Sequence, residues 1–113
     1  MHELSLCMSI AELVIECAKR ESFTRVSRVF VDIGKASAVD PDSLQFCFPL
    51  TVKDTLAENA ELVINRIPLI ARCSACQTEY SPQSIVANCP ACGGTAAEII
   101  QGREMRVVSF EGE

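Results

Sequence analysis

The sequence predicts an α+β chain in which two helices pack on a small β-sheet and a separate four-cysteine module is inserted between two of the strands. Three observations carry this: apolar residues at helical spacing near the start, two-residue alternation in three later stretches, and two C-x2-C turns between the second and third of those stretches. With 113 residues, 49% of them apolar, the chain has material for one modest core and a small satellite held by another device.

Leu4, Cys7, Met8, Ala11, Val14, Ile15 and Ala18 recur at helical spacing, with Glu12, Glu16, Lys19 and Arg20 largely off that stripe. The first helix therefore begins almost at the amino terminus. From Arg25 to Gly34 the pattern changes: Val29, Val31 and Ile33 alternate with Arg28, Phe30 and Asp32, as in a half-buried strand ended by glycine. Asp40-Pro41 opens a second helix, because Asp is a good N-cap and Pro is tolerated at the first helical position. Its buried stripe is expected to be Leu44, Cys47, Phe48 and Val52. Pro49 removes a hydrogen bond there at a cost of ~3 kcal/mol, so a kink or an early end is expected. Glu61 to Ile67 alternates as a second strand before Pro68.

Glu104 to Phe110 reads as a third strand, with Met105, Val107 and Ser109 on one face and Arg106, Val108 and Phe110 on the other. It is too apolar for a free tail, and its simplest place is beside the earlier strands. The expected organisation is then one α/β domain from residues 1–68 plus 99–113, with residues 69–98 inserted into it.

That insert carries the strongest chemical signal: Cys73-Ser74-Ala75-Cys76, twelve residues, then Cys89-Pro90-Ala91-Cys92 followed by Gly93-Gly94. Each C-x2-C turn presents two thiolates, and two facing turns complete a tetrahedral all-thiolate site. The separation is a little under the usual roughly 15 to 20 residues, within the span of two short hairpins. Four thiolates with no open position imply a structural zinc in a zinc-ribbon domain, ahead of two disulfides or a rubredoxin-like iron site. Zinc contributes on the order of 10 kcal/mol to such a fold. The large apolar residues between Cys73 and Glu98 are few, chiefly Tyr80, Ile85 and Val86, so the module depends on its metal.

Charge and composition exclude several classes. Ten Lys and Arg against fifteen Asp and Glu give a net charge of −5, and no Lys or Arg stands between Cys73 and Glu98, so a nucleic-acid partner is not expected. No membrane association is expected either, since no stretch reaches the ~18 apolar residues of a span. The apolar run from Leu4 to Ile15 is interrupted by Glu12 and preceded by no basic residue, unlike a secretory signal. Seven cysteines, an odd number, four of them at metal-site spacing, point to a reducing cytoplasm. Cys7, Cys17 and Cys47 lie on or near apolar helical stripes and read as core residues.

The sole histidine is His2, in Met1-His2-Glu3. There the free α-amine of Met1, the backbone nitrogen of His2 and its imidazole Nδ1 form a five- and a six-membered chelate ring around three corners of a square. Square-planar nitrogen coordination selects Ni(II) or Cu(II). Asp40 is a candidate for the remaining corner, against the alternative that its carboxylate caps the second helix.

Taken together, MHELSLC at the start, DIGKASAVDPDSLQFCF in mid-chain, the CSAC and CPACGG turns and a closing QGREMRVVSFE make the sequence similar, nearly end to end, to the HypA/HybF family of hydrogenase maturation factors. The resemblance implies a nickel metallochaperone with a structural zinc ribbon, cooperating with an accessory maturation GTPase and delivering Ni(II) to the large-subunit precursor of [NiFe] hydrogenase. Some relatives also serve urease. By position, it assigns nickel to His2 and, through backbone or carboxylate, to Glu3, and zinc to Cys73, Cys76, Cys89 and Cys92. Pro49 departs from the pattern. A zinc-ribbon adaptor that only joins proteins is the alternative; an enzyme is least supported, because no catalytic set emerges and a Cys–His pair would need the mobile His2 as base.

Overall fold

A computed structural model describes residues 3–82 and 88–113. In chain order the elements are α1 (Glu3–Arg20), β1 (Val26–Gly34), α2 (Pro41–Thr51), β2 (Glu61–Ile67), β3 (Ile70–Cys73), β4 (Glu79–Tyr80), β5 (Ala97–Gln101) and β6 (Met105–Gly112). They make two three-stranded sheets, ordered β2-β1-β6 and β4-β3-β5. The chain forms two compact units, one of Met1–Asp32, Ala38–Asn65 and Arg106–Glu113, the other of Ile33–Ser37 and Arg66–Met105.

In the first unit, α1 starts on Glu3 and ends on Lys19 and Arg20, charges that suit the helix dipole at both ends. It buries Leu6, Cys7, Ile10, Ala11, Val14 and Ala18, while Leu4 and Met8 stay 56% and 50% exposed. The expected stripe is thus rotated. Two apolar rows run side by side over the first half of this helix, and burial falls on the row containing Leu6 and Ile10. The central strand β1 supplies Val26, Val29 and Val31, each no more than 1% exposed. Leu44, Phe48 and Val52 are buried as expected, with Cys47 half-buried at the margin.

Helix α2 runs through Pro49 and ends two residues later, at Thr51, the early end expected. Pro49 lacks the N–H that would bond to the Gln45 carbonyl, and the helix closes soon after it, through the Val52 N–H on the Phe48 carbonyl (3.1 Å).

Asp32, expected on the polar face of its strand, is buried at 8% exposure. It accepts from Asn65 Nδ2 of β2 (3.1 Å) and from Arg106 Nε of β6 (3.1 Å), with Arg106 Nη2 at 3.0 Å, so one carboxylate joins all three strands. Arg106 itself is 62% exposed, which limits the ion-pair contribution. Replacing Asp32 by alanine is expected to lower stability by about 2 kcal/mol, from the loss of a charged and a neutral hydrogen bond, whereas Arg106→Ala should cost less. Urea denaturation of the two variants checks the order.

In the second unit, Gly34 ends β1 where a Cβ would lie 2.0 Å from the carbonyl oxygen of Gly102. Its N–H donates to Glu104 O and the Ala36 N–H to Gly102 O, both at 2.7 Å. The small sheet of this unit is built on β3, paired antiparallel with β4 (Arg72↔Glu79) on one side and β5 (Cys73↔Ala97) on the other. Among the described residues no helix is long and apolar enough to cross a membrane.

Candidate metal centre

Strand β3 ends on Cys73, and the chain then reverses through Ser74, Ala75 and Cys76 into β4. Two bonds lock this turn: the Gln77 N–H donates to Cys73 O (2.9 Å) and the Cys73 N–H to Thr78 O (2.9 Å). Gln77 is left-handed, with φ of 65°. The second turn repeats the pattern four and five residues on from its own first cysteine. There the Gly93 N–H donates to Cys89 O (2.9 Å), the Cys89 N–H to Gly94 O (3.0 Å), and Gly93 has φ of 74°. Glycine relieves at Gly93 a strain that Gln77 bears in the first turn. At Gly94 a Cβ would press to 3.3 Å from Cys92 Sγ and 3.4 Å from Cys73 Sγ, so a bare backbone lets the turns close.

The β3–β5 pairing, extended by the Ser74 N–H on Ala96 O (3.0 Å), brings the turns face to face. All four Sγ atoms lie within 4.8 Å of one another. Cys73 and Cys92 are 3.5 Å apart and Cys76 and Cys89 3.7 Å. These are free thiols, far from the ~2.05 Å of a disulfide. They are close to the roughly 3.8 Å edge of a tetrahedron with metal–sulfur bonds of about 2.3 Å. Cys73 and Cys89 are buried, Cys76 and Cys92 exposed. Tyr80 is half-buried; Ile85 and Val86 lie outside the described residues.

Three of the thiols are shifted, and not in the same direction. Cys76 is lowered to about 6 by hydrogen bonds from the Thr78 hydroxyl, 3.2 Å away, and from the Thr78 backbone N–H. Cys73 is lowered by the N–H groups of Cys76 and Ala75. For Cys92, the bond from Gly94 pulls downwards, but the other three sulfurs and burial outweigh it and push the thiol up to about 12. Four clustered sulfurs cannot all ionise unaided. A divalent cation among them supplies the missing charge, and a coordinated thiol is deprotonated outright. The donor set, its spacing and its charge all fit a closed tetrahedral metal site.

At the other candidate site, Met1 and His2 lie outside the described residues. Glu3 opens α1, and its Oε2 accepts from the backbone N–H of Asp40 (3.3 Å). Asp40 is the N-cap of α2: its Oδ1 accepts from the Asp42 N–H (3.1 Å) and its Oδ2 from the Ser43 hydroxyl (2.8 Å). The fold thus brings Glu3 and Asp40 together, as a shared site would require, through a direct hydrogen bond that the sequence reading did not suggest. Cys7 is a core residue. Its thiol is fully buried, donates to Leu44 O (3.4 Å) and is raised to about 11, chiefly by burial and next by Cys47.

Comparison with known proteins gives one consistent result. Residues 1–112 match the family model described as hydrogenase/urease nickel incorporation, metallochaperone, hypA. Hydrogenase maturation factor HypA of Geotalea uraniireducens is 36% identical over 113 residues, all of both chains. Hydrogenase maturation factor HybF of Klebsiella pneumoniae is 39% identical, again over all of both. The solution structure of the Ni metallochaperone HypA from Helicobacter pylori is similar with a TM-score of 0.68 and 31% identity, covering 99% of this chain and 97% of that one.

Proposed function

Because the chain belongs to the hydrogenase/urease nickel-incorporation metallochaperone family, HypA, we propose that it binds Ni(II) at its amino terminus and delivers it to the large-subunit precursor of [NiFe] hydrogenase, in cooperation with an accessory maturation GTPase. The match over residues 1–112 carries this reading, since it takes in His2 and all four metal-site cysteines. The division of labour follows the chemistry. The unit that begins with α1 handles nickel; the unit built on β3, β4 and β5 holds zinc, with Cys73, Cys76, Cys89 and Cys92 as ligands. Zinc supplies folding energy and, with no open position, no catalysis. Free thiols in this number suit a reducing compartment, the cytoplasm.

Nickel is cargo. The Met1 α-amine, the deprotonated backbone nitrogen of His2 and its Nδ1 fill three corners of a square. The first N–H groups of a helix have no intrahelical partner, so a metal takes a backbone nitrogen here without breaking a helix bond. The deprotonated amide offsets the unfavourable helix dipole, and Glu3 adds negative charge. One corner stays open or weakly held, where a ligand of the recipient protein attacks before the others release.

Nickel titration of the native chain and of His2→Ala, with zinc already present, tests the reading. The native chain is expected to bind one Ni(II) and the variant to lose most of its affinity, on the order of 100-fold, whereas an adaptor without a metal-transfer role would show no difference. Imidazoles and α-amines ordinarily titrate near about 6.5 and about 7.7 to 8.0, and both must be unprotonated to bind. An amide proton leaves as well. Native affinity should therefore rise steeply from about pH 6 to about pH 8, with more than one proton released per metal, and a flat profile would rule out these ligands.

A further inference from the structure

We propose that Glu3 is a positioning residue for the nickel site: its carboxylate completes, from the neighbouring helix, the cap that opens α2, and so fixes the start of α1 on the start of α2. The inference rests on the amino-terminal nickel reading and deepens it. In a capping box the N-cap side chain bonds an N–H inside the helix, and a Glu or Gln at the third helical position reaches back to the N–H of the N-cap residue. Helix α2 has only the forward half. Asp40 Oδ1 accepts from the Asp42 N–H, but the third position is Ser43, whose hydroxyl donates to Asp40 Oδ2 instead. The reverse bond comes from another element: the Asp40 N–H donates to Glu3 Oε2 at 3.3 Å, across 37 residues of sequence. Pro41 has no N–H, so the donor that Glu3 satisfies is the first one this helix presents.

A second contact shows that the pairing sets helix register. One turn along, Cys7 Sγ donates to Leu44 O at 3.4 Å. Glu3 to Cys7 and Asp40 to Leu44 are both steps of four residues, so α1 and α2 begin together and run parallel in step. Two helix N-termini side by side bring like partial charges together, and the carboxylate of Glu3 between them offsets that repulsion. A carboxylate turned away to a metal would abandon the Asp40 N–H. Glu3 thus acts through position, fixing the point from which Met1 and His2 extend.

The test compares Glu3→Ala with Glu3→Gln, whose amide oxygen keeps the hydrogen-bond acceptor and loses the charge. Hydrogen exchange at the Asp40 amide is measured on the metal-free nickel site, and Ni(II) affinity on the same zinc-loaded proteins. In Glu3→Ala, Asp40 exchange is expected to speed up roughly fivefold, the equivalent of a typical cap. Nickel affinity should fall about tenfold, the size of a lost outer-shell support. Glu3→Gln should recover most of both. Loss of nickel affinity in Glu3→Gln equal to that in Glu3→Ala, with Asp40 protection retained, would make the carboxylate a ligand and overturn the proposal. Unchanged Asp40 exchange in Glu3→Ala would overturn it as well. Failure of the native chain to bind nickel would instead overturn the terminal-site reading, and any nickel role for Glu3 with it.

Discussion

Cys73→Ala is expected to lose zinc and to disorder the module around it, while α1, α2 and the β2-β1-β6 sheet persist. The relative sizes of the forces decide this. From Leu69 onward, the buried apolar residues among those described are Leu69, Ala71, Cys73 and Cys89, and two of these four are proposed zinc ligands. The ion pair across β3 and β4, Arg72 with Glu79 at 3.0 Å, is 41% and 53% exposed and contributes at most about 1 kcal/mol. A structural zinc contributes on the order of 10 kcal/mol. Without Cys73 the other three sulfurs must share the cluster's charge with one corner open to water, and the pairing of β3 with β5 loses its anchor at the Cys73↔Ala97 end. Metal analysis should therefore find zinc lost. Amide signals of β3 to β5 should collapse while those of α1 and β1 stay dispersed, and nickel affinity should weaken only modestly. Normal zinc content in the variant would sink the ligand assignment.

The two helices, β1, β2, β6 and the cysteine site were legible in the sequence because each is encoded locally; β3, β4 and β5 are too short for an alternation to show. Two C-x2-C turns specify two loops of one geometry, and Asp40-Pro41 specifies a helix start, whatever the rest of the chain does. What local pattern could not decide depends on packing. Leu4 and Met8 lie on one of two adjacent apolar rows, and only the docked helix shows which row is buried. Asp32 looks like any outward residue of an alternating strand; its burial depends on Asn65 and Arg106 meeting it from strands distant in sequence. The Glu3–Asp40 bond had one available clue: Ser43 stands where a capping box needs Glu or Gln, which leaves the Asp40 N–H to find an acceptor elsewhere.

Extending the chain before Met1 is expected to abolish tight nickel binding, whereas an extension after Glu113 should leave it intact. A peptide bond to the α-amine converts the strongest neutral donor of the proposed site into an ordinary amide nitrogen, while His2, Glu3 and the buried contacts of α1 stay in place. Changes to outer-shell partners alone cost about 10- to 100-fold in metal affinity, so losing a direct donor should exceed that, by more than about 100-fold. Stability should barely move, because additions at a chain terminus are normally tolerated. That contrast separates the chelate from a general effect of the tag: unfolding curves of the two tagged forms should coincide while their nickel isotherms diverge. Hydrogenase maturation should follow the isotherms. If both forms bind Ni(II) equally tightly in a square-planar, nitrogen-rich site, the amine has no part in it. The ligands must then come from the His2 side chain and groups near it, with Asp40 the first to test. Cys7 would be a poor substitute, because its thiol is buried, bonded to Leu44 O and raised to about 11, and ionising it for nickel would first require α1 to lift off α2.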